Sequence, residues 1–277
     1  MEMTTRKIPF FDPGKIALSG QAFRIHKIDE THTETVAKGR YLQIAKTGED
    51  EYAFSCSEKE YKEIWEDYFD LRTDYIKCIN GIDKDDTYLR DAIDYGYGIR
   101  ILKQDIFETV ISYIISQRRS IPSITTCVDR ISEQAGKKIK APKLSSPFVR
   151  PLKDVYYSFP DAEDILKADL SDCGLGYRYP YVISACEDFT TGKITEDMLM
   201  EADDEKLYKI LTGMYGIGTK VANCIMLFSL HRTGRFPVDV WVQRIQDRHY
   251  GGRFEYERYP ETAGILQQFM FFYERTR

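Results

Sequence analysis

The sequence predicts an α+β protein: an antiparallel β-rich N-terminal domain over residues 1–80, followed by an all-helical domain over residues 81–277. In the first 75 or so residues, short apolar runs bounded by turn residues read as strands, among them Lys15-Ile16-Ala17-Leu18 and Tyr41-Leu42-Gln43-Ile44-Ala45. From Leu89 onward the apolar residues recur at helical spacing instead, most clearly at Phe107, Val110, Ile111 and Ile114. Gly136 to Pro151 gathers glycine, lysine, serine and three prolines, and reads as the longest connection. No internal repeat or low-complexity tract interrupts this order.

With 277 residues, 43% hydrophobic and 13% aromatic, the chain has enough apolar material for a large core. No stretch approaches the roughly 18 apolar residues of a membrane helix, and the first residues, through Lys7, lack the apolar centre of a signal peptide. A cytoplasmic protein with no membrane partner is expected. The six cysteines, at 56, 78, 127, 173, 186 and 224, form no C-x-x-C pair, so neither a metal site nor a disulfide framework is indicated. A net charge of −5 argues against a protein that coats nucleic acid through a uniformly basic surface. It leaves room for one local basic face drawn from Arg118, Arg119, Lys137, Lys138, Lys140, Lys143, Arg178 and Lys220, with the lysines at 137–143 read most simply as a solvated loop.

The stretch from Leu211 to Asp239 carries the most chemistry. Gly216 and Gly218 allow a tight turn and a close approach to a partner, and the helix that follows offers free N–H groups to an anion such as a DNA phosphate. Val221, Cys224, Ile225 and Phe228 make that helix half-buried. Lys220 lies in its first turn, where the positive end of the helix dipole favours the neutral amine that can attack. Cys224, four residues on, shares its face. Asp239 follows nineteen residues after Lys220 and precedes Val240, Val242 and Ile245, the position of a helix N-cap. An ordinary surface lysine and a purely structural cap are equally open on spacing alone.

Taken together, Leu211 to Ala222 and Phe236-Pro237-Val238-Asp239-Val240 resemble the helix-hairpin-helix plus Gly/Pro…Asp signature of base-excision DNA glycosylases, within which the likeness is to the 8-oxoguanine DNA glycosylase family. The hairpin would fall at about residues 205–230. The likeness runs from Ser19-Gly20-Gln21-Ala22-Phe23-Arg24 to the segment Ala263 to Phe271. It implies a bifunctional enzyme in which the Lys220 amine attacks the sugar C1′, expels the base and leaves a Schiff base open to β-elimination. Asp239 would support the positive charge on the sugar. No cofactor is implied.

By the same resemblance the Gly20 carbonyl accepts from N7–H of the lesion, Gln267 meets its Watson–Crick edge, and Phe271 and Cys224 stack on its two faces. Gln267 and Phe271 are i and i+4, so they project the same way. Tyr177 would wedge beside the flipped base and Arg178 would donate to the orphaned partner base. Gln117 and Arg118 stand where the eukaryotic branch has consecutive asparagines, Ser123 where it has a second arginine, and Trp241 where it has a histidine. One arginine fewer implies weak selection for cytosine opposite the lesion, and Trp241 is expected near the pocket. Plain core for Phe271, a solvated Gln267, and a glycine-rich turn with a buried Tyr177 are the structural alternatives.

The sequence is thus read as a monomeric glycosylase and lyase acting on damaged double-stranded DNA beside the chromosome. Two rivals share the motif: a glycosylase for another oxidised or alkylated purine, and a non-catalytic helix-hairpin-helix module that binds DNA through Gly216 and Gly218.

Overall fold

The structure, a computed structural model, describes residues 2–277. Five strands, β1 (Thr4–Lys7), β2 (Ile25–Lys27), β3 (His32–Ala37), β4 (Arg40–Gly48) and β5 (Glu51–Phe54), pair antiparallel in the order β1-β5-β4-β3-β2. Tyr41–Ala45 lies in β4, where Leu42 and Ile44 point into one core and Tyr41 into another, as period-2 alternation requires. Lys15–Leu18 is not a strand. It belongs to α1 (Pro13–Leu18), because Asp12 caps the Lys15 N–H at 2.9 Å and Pro13 presets the first helical turn. Four residues alternate too briefly to separate the two periods, and only Ile16 is fully buried.

Helical structure then takes over. After α2 (Glu58–Glu60), a π turn (Tyr61–Trp65) and α3 (Glu66–Tyr68) come α4 (Tyr75–Ile79), α5 (Thr87–Tyr95), α6 (Ile106–Ile115) and α7 (Ile121–Ala135). A two-stranded ribbon of β6 (Lys138–Lys140) and β7 (Val155–Tyr157) interrupts the helices, so the Gly136–Pro151 connection begins with a strand. α8 (Ala162–Lys167), α9 (Tyr179–Thr190), α10 (Glu196–Glu201), α11 (Asp204–Gly213), α12 (Thr219–Phe228), α13 (Val240–His249) and α14 (Ala263–Thr276) complete the chain. α6 is apolar nearly all round and runs through the middle of the helical core, which α12 and α14 share. Among the described residues no helix is long and apolar enough to cross a membrane.

A buried polar seam joins the sheet layer to the helices. Arg100 donates to the carbonyls of Phe10 and Asp70 at 2.7 Å, Thr73 at 3.0 Å and Pro9 at 3.1 Å, and its guanidinium lies 4.7 Å from the centroid of the Tyr75 ring. Gln21 is fully buried and bonds to the Arg100 carbonyl at 2.9 Å and the Leu102 N–H at 2.8 Å. Arg100→Met keeps the stem but strands these acceptors in the interior, each unsatisfied group costing about 1–3 kcal/mol before relaxation. We expect a loss of about 3–5 kcal/mol of unfolding free energy, read from urea denaturation against wild type.

Candidate active site

α11 and α12 form a hairpin whose turn, residues 214–218, holds Gly216 at φ +84°. A Cβ there would stand 2.3 Å from Cγ of Tyr181, so the turn needs glycine both for its left-handed backbone and for the ring packed on it. Gly218 is the N-cap residue of α12 and Lys220 the second residue of its first turn. The turn's N–H groups and the dipole of α12 therefore share one end with the amine.

Lys220 is half-buried, with Nζ 5.5 Å from the centroid of the Tyr113 ring and Cys224 buried beneath it on the same helix face. Burial pushes the Cys224 thiol upward despite the opposing pull of the neighbouring ammonium. It packs as a neutral, polarisable wall. Asp239 is the N-cap of α13: Oδ1 accepts from the Trp241 and Val242 N–H groups, each at 2.9 Å. No bond to Oδ2 occurs among the described residues, so one carboxylate caps a helix and still offers an oxygen to the cavity it lines with Lys220. Within 4.0 Å neither Lys220 nor Asp239 forms an ion pair among the described residues, and both line the same cavity.

A narrow cavity of about 40 Å³ brings together Gly20, Tyr113, Lys220, Cys224, Asp239, Gln267 and Phe271, from five separate parts of the chain. It opens into a cleft of about 800 Å³ whose walls include Arg118, Arg119 and Trp241. Gln267 is 5% exposed and its Oε1 is buried without a hydrogen-bond partner. Phe271 stands half-buried one turn further along α14. Gly20, at φ +79°, packs so tightly that a Cβ would lie 2.6 Å from Cδ1 of Ile121. Trp241 lines the cleft, with the Arg244 guanidinium 5.3 Å from its ring centroid.

The proposed strand-facing residues cluster at the cleft's other edge. Tyr177 is 50% exposed, with its ring 6.2 Å from that of Tyr181, which in turn meets Tyr215 edge-on at 4.7 Å. Arg118 is exposed in the left-handed region at φ +53°. Arg178 and Gln117 are placed differently from free DNA-reading side chains. Arg178 is 5% exposed and directs Nε and Nη2 at the Gln117 carbonyl, Nε at 2.9 Å. The Gln117 amide donates to the Gly216 carbonyl at 3.0 Å, tying the wedge loop to the hairpin turn. Ser123 is exposed on α7.

Local spacing pointed to the hairpin, the cap and the α14 face, but not to Tyr113 beneath the amine or to Gln268 in the cavity wall beside Gln267. Both sit on strongly apolar helices, where a single phenol or amide adds no periodic signal. The lysines at 137–143 lie on the β6 ribbon and its loop, away from the cleft, whose lining cations include Arg118, Arg119 and Lys220. Gly216→Ala should cost about 1–3 kcal/mol through backbone strain and displacement of Tyr181, whereas Gly213→Ala, where a Cβ meets nothing within 4 Å, should be neutral or stabilising. Paired thermal melts check the contrast.

The family model for the 8-oxoguanine DNA glycosylase N-terminal domain matches residues 5–110. A Saccharomyces cerevisiae N-glycosylase/DNA lyase is 34% identical in an alignment 168 residues long that covers 55% of this chain and 42% of that protein, so the chain spans less than half of that relative's length. The Clostridium acetobutylicum 8-oxoguanine glycosylase/lyase in its apo form superposes with a TM-score of 0.88 at 30% identity, over 99% of this chain and 96% of that one. The same protein bound to double-stranded DNA with cytosine opposite 8-oxoG gives 0.85 at 28% identity, over 99% and 98%. An amine and a carboxylate facing one cavity beside a glycine hairpin, in a chain that overlays the whole length of such a relative, mean that this protein belongs to the 8-oxoguanine glycosylase/lyase family.

Proposed function

We propose that this protein flips 8-oxoguanine out of duplex DNA, excises it through Lys220 and nicks the strand by β-elimination. The observation that carries the reading is a pair of acceptors without partners among the described residues, Gln267 Oε1 and the Gly20 carbonyl, in the same cavity as Lys220 and Asp239. 8-Oxoguanine offers complementary donors on two edges: N1–H and the exocyclic amine on one, and N7–H, absent from guanine, on the other. A base hydrogen-bonded at both edges is held with its sugar beside the amine. The cavity of about 40 Å³ has room for little more than water, so the walls, Phe271 foremost, give way as the base enters.

In the chemical step the neutral amine of Lys220 bonds to C1′ as the C1′–N9 bond breaks, and the base departs with that electron pair and takes up a proton. Asp239 Oδ2 stabilises the positive charge that develops on the sugar. Loss of a proton from nitrogen and opening of the sugar ring give the imine, and removal of a C2′ proton then expels the 3′ phosphate. The damaged duplex is the partner, a monomer is sufficient for every step, and the reaction is placed with the chromosomal DNA in the cytoplasm.

Tyr177 serves as the wedge. Arg178 acts beside it by holding the loop, with Nε and Nη2 on the Gln117 carbonyl and Nη1 on the Leu175 carbonyl at 3.5 Å.

Lys220→Gln is expected to abolish both base release and borohydride trapping while retaining binding to the lesion duplex, since Cys224, Gln267 and the hairpin are untouched. Preserved strand cleavage in that variant would refute the assigned nucleophile. With Ser123 in place of a second arginine, single-turnover cleavage opposite cytosine should exceed that opposite each of the other three bases by no more than about tenfold. A much steeper preference would mean that some other group reads the opposite base.

A further inference from the structure

The segment Leu18-Ser19-Gly20-Gln21 leaves α1 along the wall of the cavity, and its four carbonyls meet different fates. Leu18 O accepts from Nη2 of Arg275. Ser19 O accepts from Nε2 of Gln268 at 2.8 Å. Gln21 O accepts from Nε2 of Gln104 at 2.8 Å and from the Tyr113 hydroxyl at 3.2 Å. Gly20 O alone accepts nothing among the described residues. All of these donors come from the helical part of the chain, and Gln268 is 249 residues from the serine it holds.

We infer that Arg275 and Gln268 are positioning residues that aim the Gly20 carbonyl at the lesion. The inference rests on the reading of 8-oxoguanine as substrate. The Gly20 carbonyl lies in the peptide plane between those of Ser19 and Gln21: Gln268 pins the plane before it, with Arg275 holding the carbonyl one residue earlier, and Gln104 and Tyr113 pin the plane after it, which leaves the middle one little freedom. Glycine at φ +79° has the widest backbone latitude of any residue, so without those clamps Gly20 would be the least determined part of the pocket. Arg275 is also well placed mechanically. It follows Phe271 by one turn of α14, and its guanidinium lies 5.3 Å from that ring's centroid. The glycine itself has no spare room: a Cβ would stand 2.8 Å from Arg275 Nη1. The same helix therefore carries Gln267 for one edge of the base, Phe271 for its face, and the two side chains that orient the acceptor for the other edge.

A positioning role separates two activities that a general structural role would move together. Excision of 8-oxoguanine needs the N7–H contact, whereas lyase cleavage at an abasic site uses Lys220 with no base to read. Gln268→Leu keeps bulk and removes the amide donor, while Arg275→Met keeps most of the stem and removes the guanidinium, its charge near Asp239 included. Each should slow single-turnover excision of 8-oxoguanine by about tenfold or more while abasic-site cleavage in the same duplex stays within about twofold of wild type. The inference is overturned by parallel loss of both activities, or by excision that is unchanged in both variants. A wild-type protein that cleaves the abasic duplex but not the 8-oxoguanine duplex would instead remove the substrate reading, and this inference with it.

Discussion

Everything at the site depends on the buried polar seam between the sheet layer and the helices. Gly20 belongs to the first part of the chain and Lys220, Asp239 and Gln267 to the second, so the cavity exists only where the two meet. Hydrophobic burial drives that meeting but is non-directional, and by itself would tolerate sliding of one layer over the other. Arg100, bonded to four carbonyls from two segments, and Gln21, bonded on both amide atoms, make the register specific. Asp70 adds to the same seam, meeting Lys103 at 3.3 Å and His231 at 3.1 Å.

Within that frame, stability and chemistry are drawn from the same atoms. Asp239 closes the first turn of α13 with one oxygen and faces the cavity with the other, so the carboxylate is held in place without an ion pair that would neutralise it. Gln117 does the same at the opposite edge, its side chain bonded to Gly216 and its carbonyl to Arg178. The loops that carry Gln117 and Arg178 and the hairpin turn are consequently one connected assembly rather than independent loops. Among the described residues, buried polar atoms without hydrogen-bond partners include Gln267 Oε1 and Arg275 Nη1, both beside the pocket.

The hairpin, the Asp239 cap and the shared face of Gln267 and Phe271 were legible because each is a relation among residues a few positions apart. β4 and α6 were legible for the same reason, through periods of 2 and 3.6. Where the periodic signal was short it misled: Lys15–Leu18 alternates like a strand, but Asp12 and Pro13 immediately before it specify a helix start, and local hydrogen bonding outweighed a four-residue pattern. For Arg178, the glycine-rich motif located the residue but not its partner, since the Gln117 carbonyl that engages it lies 61 positions away.

The sequence by itself located the residues to which the proposed chemistry is assigned: the amine at 220, the carboxylate at 239, and the glycine turn that permits a close approach. These follow from residue type and short-range backbone geometry, which any segment of the chain holds whatever surrounds it. Only the tertiary structure decided that the Gly20 carbonyl is the unclaimed one among four, that Tyr113 underlies the Lys220 amine, and that Arg178 is buried. Those outcomes depend on donors and acceptors separated by up to 257 residues, and the periodicity of a sequence holds no record of pairings at that range.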